Sequence, residues 1–310
     1  MISDAPLKAR VRVPASTSNL GAGFDCVGVA VDRWLSASVE VGGAPGVRIH
    51  RRGALADLSL PAEGDLVHRG FRLACEVSRT ALPGALAYDV SSTIPVARGL
   101  GASAAALVAG AFLANAALGL NLGAEAIANL CAGFEGHPDN ASPSVFGGAV
   151  LGIPTSEDGS NYAFATLTIH SGIALVFSVP QLEILTSEAR RVLPKSVPHS
   201  IAVRAAAKSA ALVEGLRCGD SALLSFALDD VLHVPFRRQL VPHYAAIVAG
   251  AVNAGAFGAT LSGSGSTIVA VAPIESATEV GNAMKSEWKA AGESAEVIIS
   301  DRSVEGARLE

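Results

Sequence analysis

From Gly99 to Ala124 no side chain carries a charge. A stretch that long and that apolar belongs either in a bilayer or in the interior of a protein. It opens on a glycine turn, is interrupted by Asn115, Gly119 and Asn121, and owes most of its apolarity to alanine. The sequence therefore predicts a buried helix over Ser103 to Leu118, with small side chains that allow close packing against a sheet. Just upstream, Leu86, Tyr88, Val90 and Ile94 recur with the period of a half-buried strand, and Pro95 closes that strand.

The joint between strand and helix reads Pro95, Val96, Ala97, Arg98, Gly99, Leu100, Gly101, Ala102, Ser103, Ala104, Ala105. Gly99 and Gly101 allow positive φ and close backbone approach, and Ser103 falls in the first turn of the helix. Free N–H groups and the positive end of the helix dipole would face an anion held in the turn, so the segment reads as a phosphate cradle. Gly99 to Ala104 also fits the loose dinucleotide pattern. That pattern needs a second strand after the helix, whereas Asn121 to Cys131 reads as more helix. No Gly-Lys-Ser/Thr follows the glycines, which excludes a Walker loop. The remaining alternative is a plain connecting turn.

A chain of 310 residues is expected to form two domains. Its net charge of −5, without a basic tract, argues against nucleic acid or an anionic membrane as partner. Cys26, Cys75, Cys131 and Cys218 are widely spaced, which points to free thiols rather than a zinc or redox motif. The opening Met1 to Lys8 has no apolar core after a basic start, so no secretory signal is expected and the location reads as cytoplasmic.

Strand-like patches run from Lys8 to Val41 around Pro14 to Asp25, a stretch rich enough in turn formers to read as a binding loop or a long turn. A short strand at Val47 to His50 and a helix at Asp65 to Arg79 follow. A helix at about Ala124 to Phe134 leads into a second polar loop, Glu135 to Gly148, and then a strand through Ile153. Pro154 to Asn161 reads as a hairpin turn between strands, and further strands are expected at Tyr162 to Ile169 and Ile173 to Val179. Beyond lie helices, two strands around Leu261 to Thr267, a helix at Ala277 to Ala291 and a strand at Ala295 to Ser300. Strands and helices do not alternate strictly, so the fold class reads as α+β.

Four motifs in this order, namely Pro14 to Asp25, Pro95 to Ala105, Glu135 to Asn140 and Leu261 to Ile268, resemble the small-molecule kinases of the GHMP superfamily. Glu135-Gly-His-Pro-Asp-Asn140 and the first loop are most similar to its homoserine kinases. The resemblance runs from about Val11 to Val271. It implies an N-terminal domain over residues 1–165 like ribosomal protein S5 domain 2, and a ferredoxin-like C-terminal domain over 166–310. It also implies ATP with Mg²⁺, L-homoserine as the alcohol in threonine biosynthesis, and a possible homodimer.

Carried over residue by residue, the resemblance assigns Pro95 to Ala105 and Asp65 to ATP, and Ser103 and Asn129 to the metal. Asp25 would take the substrate ammonium, Arg190 and Arg237 its carboxylate, and Asn19, His137 and Asn140 its hydroxyl end. Asp139 joins Ser103 and Asn140 among the catalytic candidates. Bidentate arginine suits a carboxylate, and a sugar or isoprenoid alcohol would have none to clamp. Three positions depart from the family's usual residues: Ala102 for serine, Asn129 for a metal-binding glutamate with Glu135 as a nearby acid, and Asp65 for asparagine. A kinase of another small alcohol and a non-catalytic binding module are the alternatives.

Overall fold

The computed structural model describes residues 7–310, so Met1 to Pro6, part of the segment read as lacking a secretory signal, lie outside the described residues. The chain begins with a long antiparallel hairpin of β1 (Leu7–Asn19) and β2 (Gly23–Val41), in register from Leu7 opposite Val41 to Asn19 opposite Gly23. This corrects the expected irregular loop: Pro14 to Asn19 complete β1, and the turn itself is confined to Leu20 to Ala22. Local turn propensity is overridden by distant partners. The buried hydroxyls of Ser16, Thr17 and Ser18 meet Asn140, Ser262 and Asn140 respectively.

The first half continues through β3 (Gly46–Gly53), α1 (Leu66–Val77), β4 (Ala85–Ser92), α2 (Ala102–Leu118) and α3 (Ala124–Glu135). It ends with α4 (Ala141–Phe146), β5 (Ala149–Pro154) and β6 (Tyr162–Leu167). The short helix α4 lies inside the segment expected to be a polar loop. The second half holds β7 (Ile173–Pro180), α5 (Thr186–Arg191), α6 (His199–Cys218), α7 (Ser221–Leu228), α8 (Val234–Arg237) and α9 (Tyr244–Asn253). It closes with β8 (Gly258–Leu261), β9 (Ile268–Pro273), α10 (Ala277–Ala290), β10 (Ala295–Ser300) and β11 (Arg308–Leu309).

The first sheet runs β11-β1-β2-β4-β3, with β5 paired to β2 and β6 to β5. Every pair is antiparallel except β3 with β4. The second sheet runs β10-β7-β9-β8 and is antiparallel throughout. Its last strand lies beside its first, with helices before β8 and after β9, which is the ferredoxin-like arrangement. The tail does not stay with the second sheet. Strand β11, which no hydrophobic period announces, returns to pair with β1.

The uncharged run forms α2 and is buried between the first sheet and α1. Its alanines and glycine are what the packing requires. A Cβ on Gly110 would come within 1.9 Å of the Val67 carbonyl, and one on Gly70 within 2.0 Å of that of Leu107, so α1 and α2 meet backbone to backbone. No helix among the described residues is long and apolar enough to cross a membrane. The main core joins α1, α2 and the inner face of the first sheet to α6, α7, β7 and β9, and a second core packs α9 and α10 on the other face of the second sheet. Between the two halves the glycine turn is left facing a cleft.

Candidate active site

The cleft has a volume of about 470 Å³. The turn from Pro95 to Ser103 forms its floor, and Ala97, Gly99 and Gly101 all have positive φ, at 55°, 75° and 66°. Glycine is required twice. A Cβ on Gly99 would lie 2.1 Å from the Ser262 carbonyl, and one on Gly101 would lie 2.1 Å from the Ser16 hydroxyl. Each half of the molecule therefore grips the turn. Ser262 Oγ donates to Gly99 O at 2.6 Å, and Ser16 N donates to Leu100 O at 3.2 Å.

Helix α2 starts at Gly101 without a side-chain cap, so its first N–H groups remain available to an anion. The expected cradle is narrower than Pro95 to Ala105. Ala104 and Ala105 are fully buried and do not line the cleft, and Ala105 N–H already donates to Gly101 O. Arg98 lines the cleft, but its guanidinium serves as a strut. Nε donates to Pro180 O at 3.0 Å, and Nη1 lies 3.1 Å from Val96 O and 2.9 Å from Glu183.

Ser103 donates a 2.7 Å hydrogen bond to Glu135 Oε1. Glu135 ends α3, and its other oxygen, Oε2, is buried with no partner among the described residues. Burial pushes its pKa up and outweighs the opposing pull of the His137 charge and the Ser103 hydrogen bond. Asn129 is elsewhere, and its assignment to the metal is corrected. Its Oδ1 accepts from Tyr162 N at 2.7 Å while Nδ2 donates to Tyr162 O at 3.0 Å, so the amide pins β6 and does not line the cleft. Asn129→Glu is accordingly expected to leave the magnesium requirement unchanged and to lower the melting temperature by a few degrees, because Tyr162 O loses its donor. A magnesium titration and a thermal melt of the variant check both halves.

In the same cleft, Asp25 and Arg190 form a two-point ion pair at 2.8 and 3.2 Å. Burial works against the Arg190 charge, and the bond to Asp25 more than offsets it, leaving its pKa raised. Arg237 is almost wholly buried, and desolvation with Arg190 alongside pulls its pKa down to about 10. His137 bonds through Nδ1 to Asp139 Oδ1 at 2.6 Å. Burial disfavours its charge, but the bond and charge of Asp139 prevail and carry its pKa up to about 9.

Asn140 and Asn19 act largely as fasteners. Asn140 accepts from Ser16 Oγ and donates to Ser18 Oγ, while Asn19 donates to Gly263 O and accepts from Asp25 N. Both still border the cleft. Asp65 borders it too, but its carboxylate caps α1 at Val67 and His68 and pairs with Arg51 at 2.8 Å. The contribution of Arg51, near the end of β3, and of the apolar wall of Leu55, Leu58 and Leu60 was not visible in the sequence, since nothing periodic marks the segment between β3 and α1.

A glycine turn at a helix N-terminus, an acid paired with a helix-borne serine and the charged group of Asp25, Arg190 and Arg237 share one cleft. Comparison with known proteins agrees with that combination. The GHMP kinases N terminal domain matches residues 65–148, and the GHMP kinases C terminal domain matches residues 212–290. This chain belongs to the GHMP kinases. Homoserine kinases are among its full-length relatives. The homoserine kinase of Synechococcus sp. is 36% identical, covering 98% of each chain. That of Gloeobacter violaceus is 40% identical over 90% of this chain and 92% of its own. The crystal structure of homoserine kinase from Cytophaga hutchinsonii superposes with a TM-score of 0.87 at 28% identity, covering 100% of this chain and 99% of the other.

Proposed function

We propose that the chain transfers the γ-phosphoryl group of ATP to the side-chain hydroxyl of L-homoserine, forming O-phospho-L-homoserine for threonine biosynthesis in the cytoplasm. The observation that carries this reading is the Asp25–Arg190 pair, with Arg237 beside it, in the same cleft as the open end of α2. A zwitterion offers one ammonium and one carboxylate, so it can enter the pair with Asp25 taking the cation and the two arginines the anion. The relatives support the same substrate.

The cradle from Val96 to Ser103 holds the phosphates through backbone N–H groups and the helix dipole, and Leu55, Leu58, Leu60 and Leu66 enclose the nucleoside. Ser103 and Glu135 would hold magnesium. Hard oxygen donors suit that ion, and the unpartnered Glu135 Oε2 is an acceptor in want of a cation. Magnesium bound there supplies charge neutralisation on the phosphate oxygens. His137, with its pKa near 9, is protonated at neutral pH and is an orienting cation rather than a base. Phosphoryl transfer passes through a loose transition state, so positioning and charge supply most of the rate without strong deprotonation of the alcohol.

The test compares L-homoserine with aminopropanol, which is homoserine without its carboxyl group, and identifies the products by phosphorus NMR. Homoserine is expected to yield its phosphate ester, with kcat/KM for aminopropanol lower by about a hundredfold. Equal use of the two would remove the amino acid and leave a kinase of some other alcohol.

A further inference from the structure

Arg237 is fixed on three sides. Nε donates to Ala189 O at 3.1 Å, and Nη1 lies 3.3 Å from Gly263 O and 3.4 Å from Nδ1 of His233. Among the described residues Nη2 has no acceptor, so that end of the fork is left for a ligand. His233 is fully buried and does not line the cleft. It has no part in the reaction as described so far.

The tautomer of His233 follows from its surroundings. Nε2 lies 3.2 Å from Gly21 O, and a carbonyl only accepts, so the proton sits on Nε2 and Nδ1 offers its lone pair to the guanidinium. Burial holds the ring neutral against the pull of Asp230, with Arg237 adding to the effect, and its pKa falls to about 4. Asp230 sets the backbone as well, its Oδ2 accepting from the N–H groups of Leu232, His233 and Val234 at 3.0, 2.7 and 2.8 Å. Phe24 stacks on the His233 ring at 4.8 Å and lies 5.1 Å beneath the Arg237 guanidinium. Phe24 directly precedes Asp25. One buried imidazole thus bonds both to the arginine of the carboxylate end and to the turn that leads into the aspartate of the ammonium end.

We propose that His233 is a positioning residue for amino-acid recognition: its Nδ1 turns Arg237 so that Nη2 faces the substrate carboxylate, and its Nε2–H ties the turn before Asp25 to α8. This rests on the amino-acid substrate proposed above. His233 and Arg237 stand four residues apart on one helical turn, the spacing that lets the two side chains meet.

The test reads carboxylate discrimination, the ratio of kcat/KM for homoserine to that for aminopropanol. His233→Gln keeps an amide donor that reaches Gly21 but has no acceptor at the Nδ1 position next to Cγ that faces Arg237. His233→Phe keeps the stack on Phe24 and loses both bonds. Either variant is expected to lower discrimination about tenfold through the KM for homoserine, with the KM for ATP and the rate with aminopropanol nearly unchanged. His233→Asn, which restores an acceptor near Nδ1 but gives up the bond to Gly21, is expected to retain more discrimination than either, within about threefold of wild type. Should only one of Gln and Phe fold, that one decides. Wild-type discrimination retained by the folded variant overturns the inference alone, as does an equal loss with both alcohols. A wild-type enzyme that does not prefer homoserine overturns the inference together with the substrate assignment.

Discussion

Glu135→Gln is expected to lower turnover by about two to three orders of magnitude at saturating ATP and homoserine, the scale for removing a group that fixes charge in a phosphoryl-transfer site. The reason lies in the geometry of one carboxylate. Oε1 holds the Ser103 hydroxyl at 2.7 Å, and Oε2 is buried without a partner among the described residues. An amide keeps the shape and the bond to Ser103 but loses the charge that would hold magnesium. The apparent magnesium requirement is therefore expected to rise steeply, while homoserine affinity changes little. Ser103→Ala should move in the same direction by less, because it removes one neutral ligand and leaves the anion. A Glu135→Gln enzyme with wild-type turnover and an unmoved magnesium titration would place the metal elsewhere.

Arg190→Ala is expected to raise the KM for homoserine by about ten- to a hundredfold with little change in the KM for ATP. It would remove one cation proposed to meet the carboxylate, and it leaves Asp25 without its ion pair. Arg190→Lys should rescue poorly, because a point charge cannot reproduce the two-point contact at 2.8 and 3.2 Å. Arg237→Ala should raise the same KM but also lower stability, since this almost wholly buried side chain is bonded to Ala189 O and Gly263 O. Arg190, with its side chain 37% exposed, isolates the binding effect from the folding effect. Steady-state kinetics with each substrate varied, beside thermal melts, separate the two.

The parts of this molecule that could be read from sequence are those whose cause is local. The alternation from Leu86 to Val90 produced β4, and the positive φ of Gly99 and Gly101 produced the turn. The alanine run became a buried helix because close approach of α1 leaves no room for larger side chains. Pro14 to Asn19 misled because its hydroxyls are satisfied by Asn140 and Ser262, more than a hundred residues away, and a window on the sequence contains only their turn propensity. Asn129 misled for a geometric reason. Six residues along a helix rotate a side chain by about 240° beyond a full turn, so Asn129 and Glu135 leave α3 on different faces. One reaches Tyr162 and the other reaches Ser103. The apolar wall from Leu55 to Leu60 depends on how β3 leads into α1, and it has no signature in the sequence.

The central claim, a phosphoryl transfer from ATP to an amino-acid alcohol, is tested most directly by ADP release from the purified protein with ATP and magnesium against a panel of alcohols. L-Homoserine is predicted to drive sustained ADP release, with L-serine, mevalonate and galactose near background. Release driven by mevalonate or galactose in place of homoserine would contradict the amino-acid site, and nucleotide binding without release for any alcohol would contradict catalysis itself.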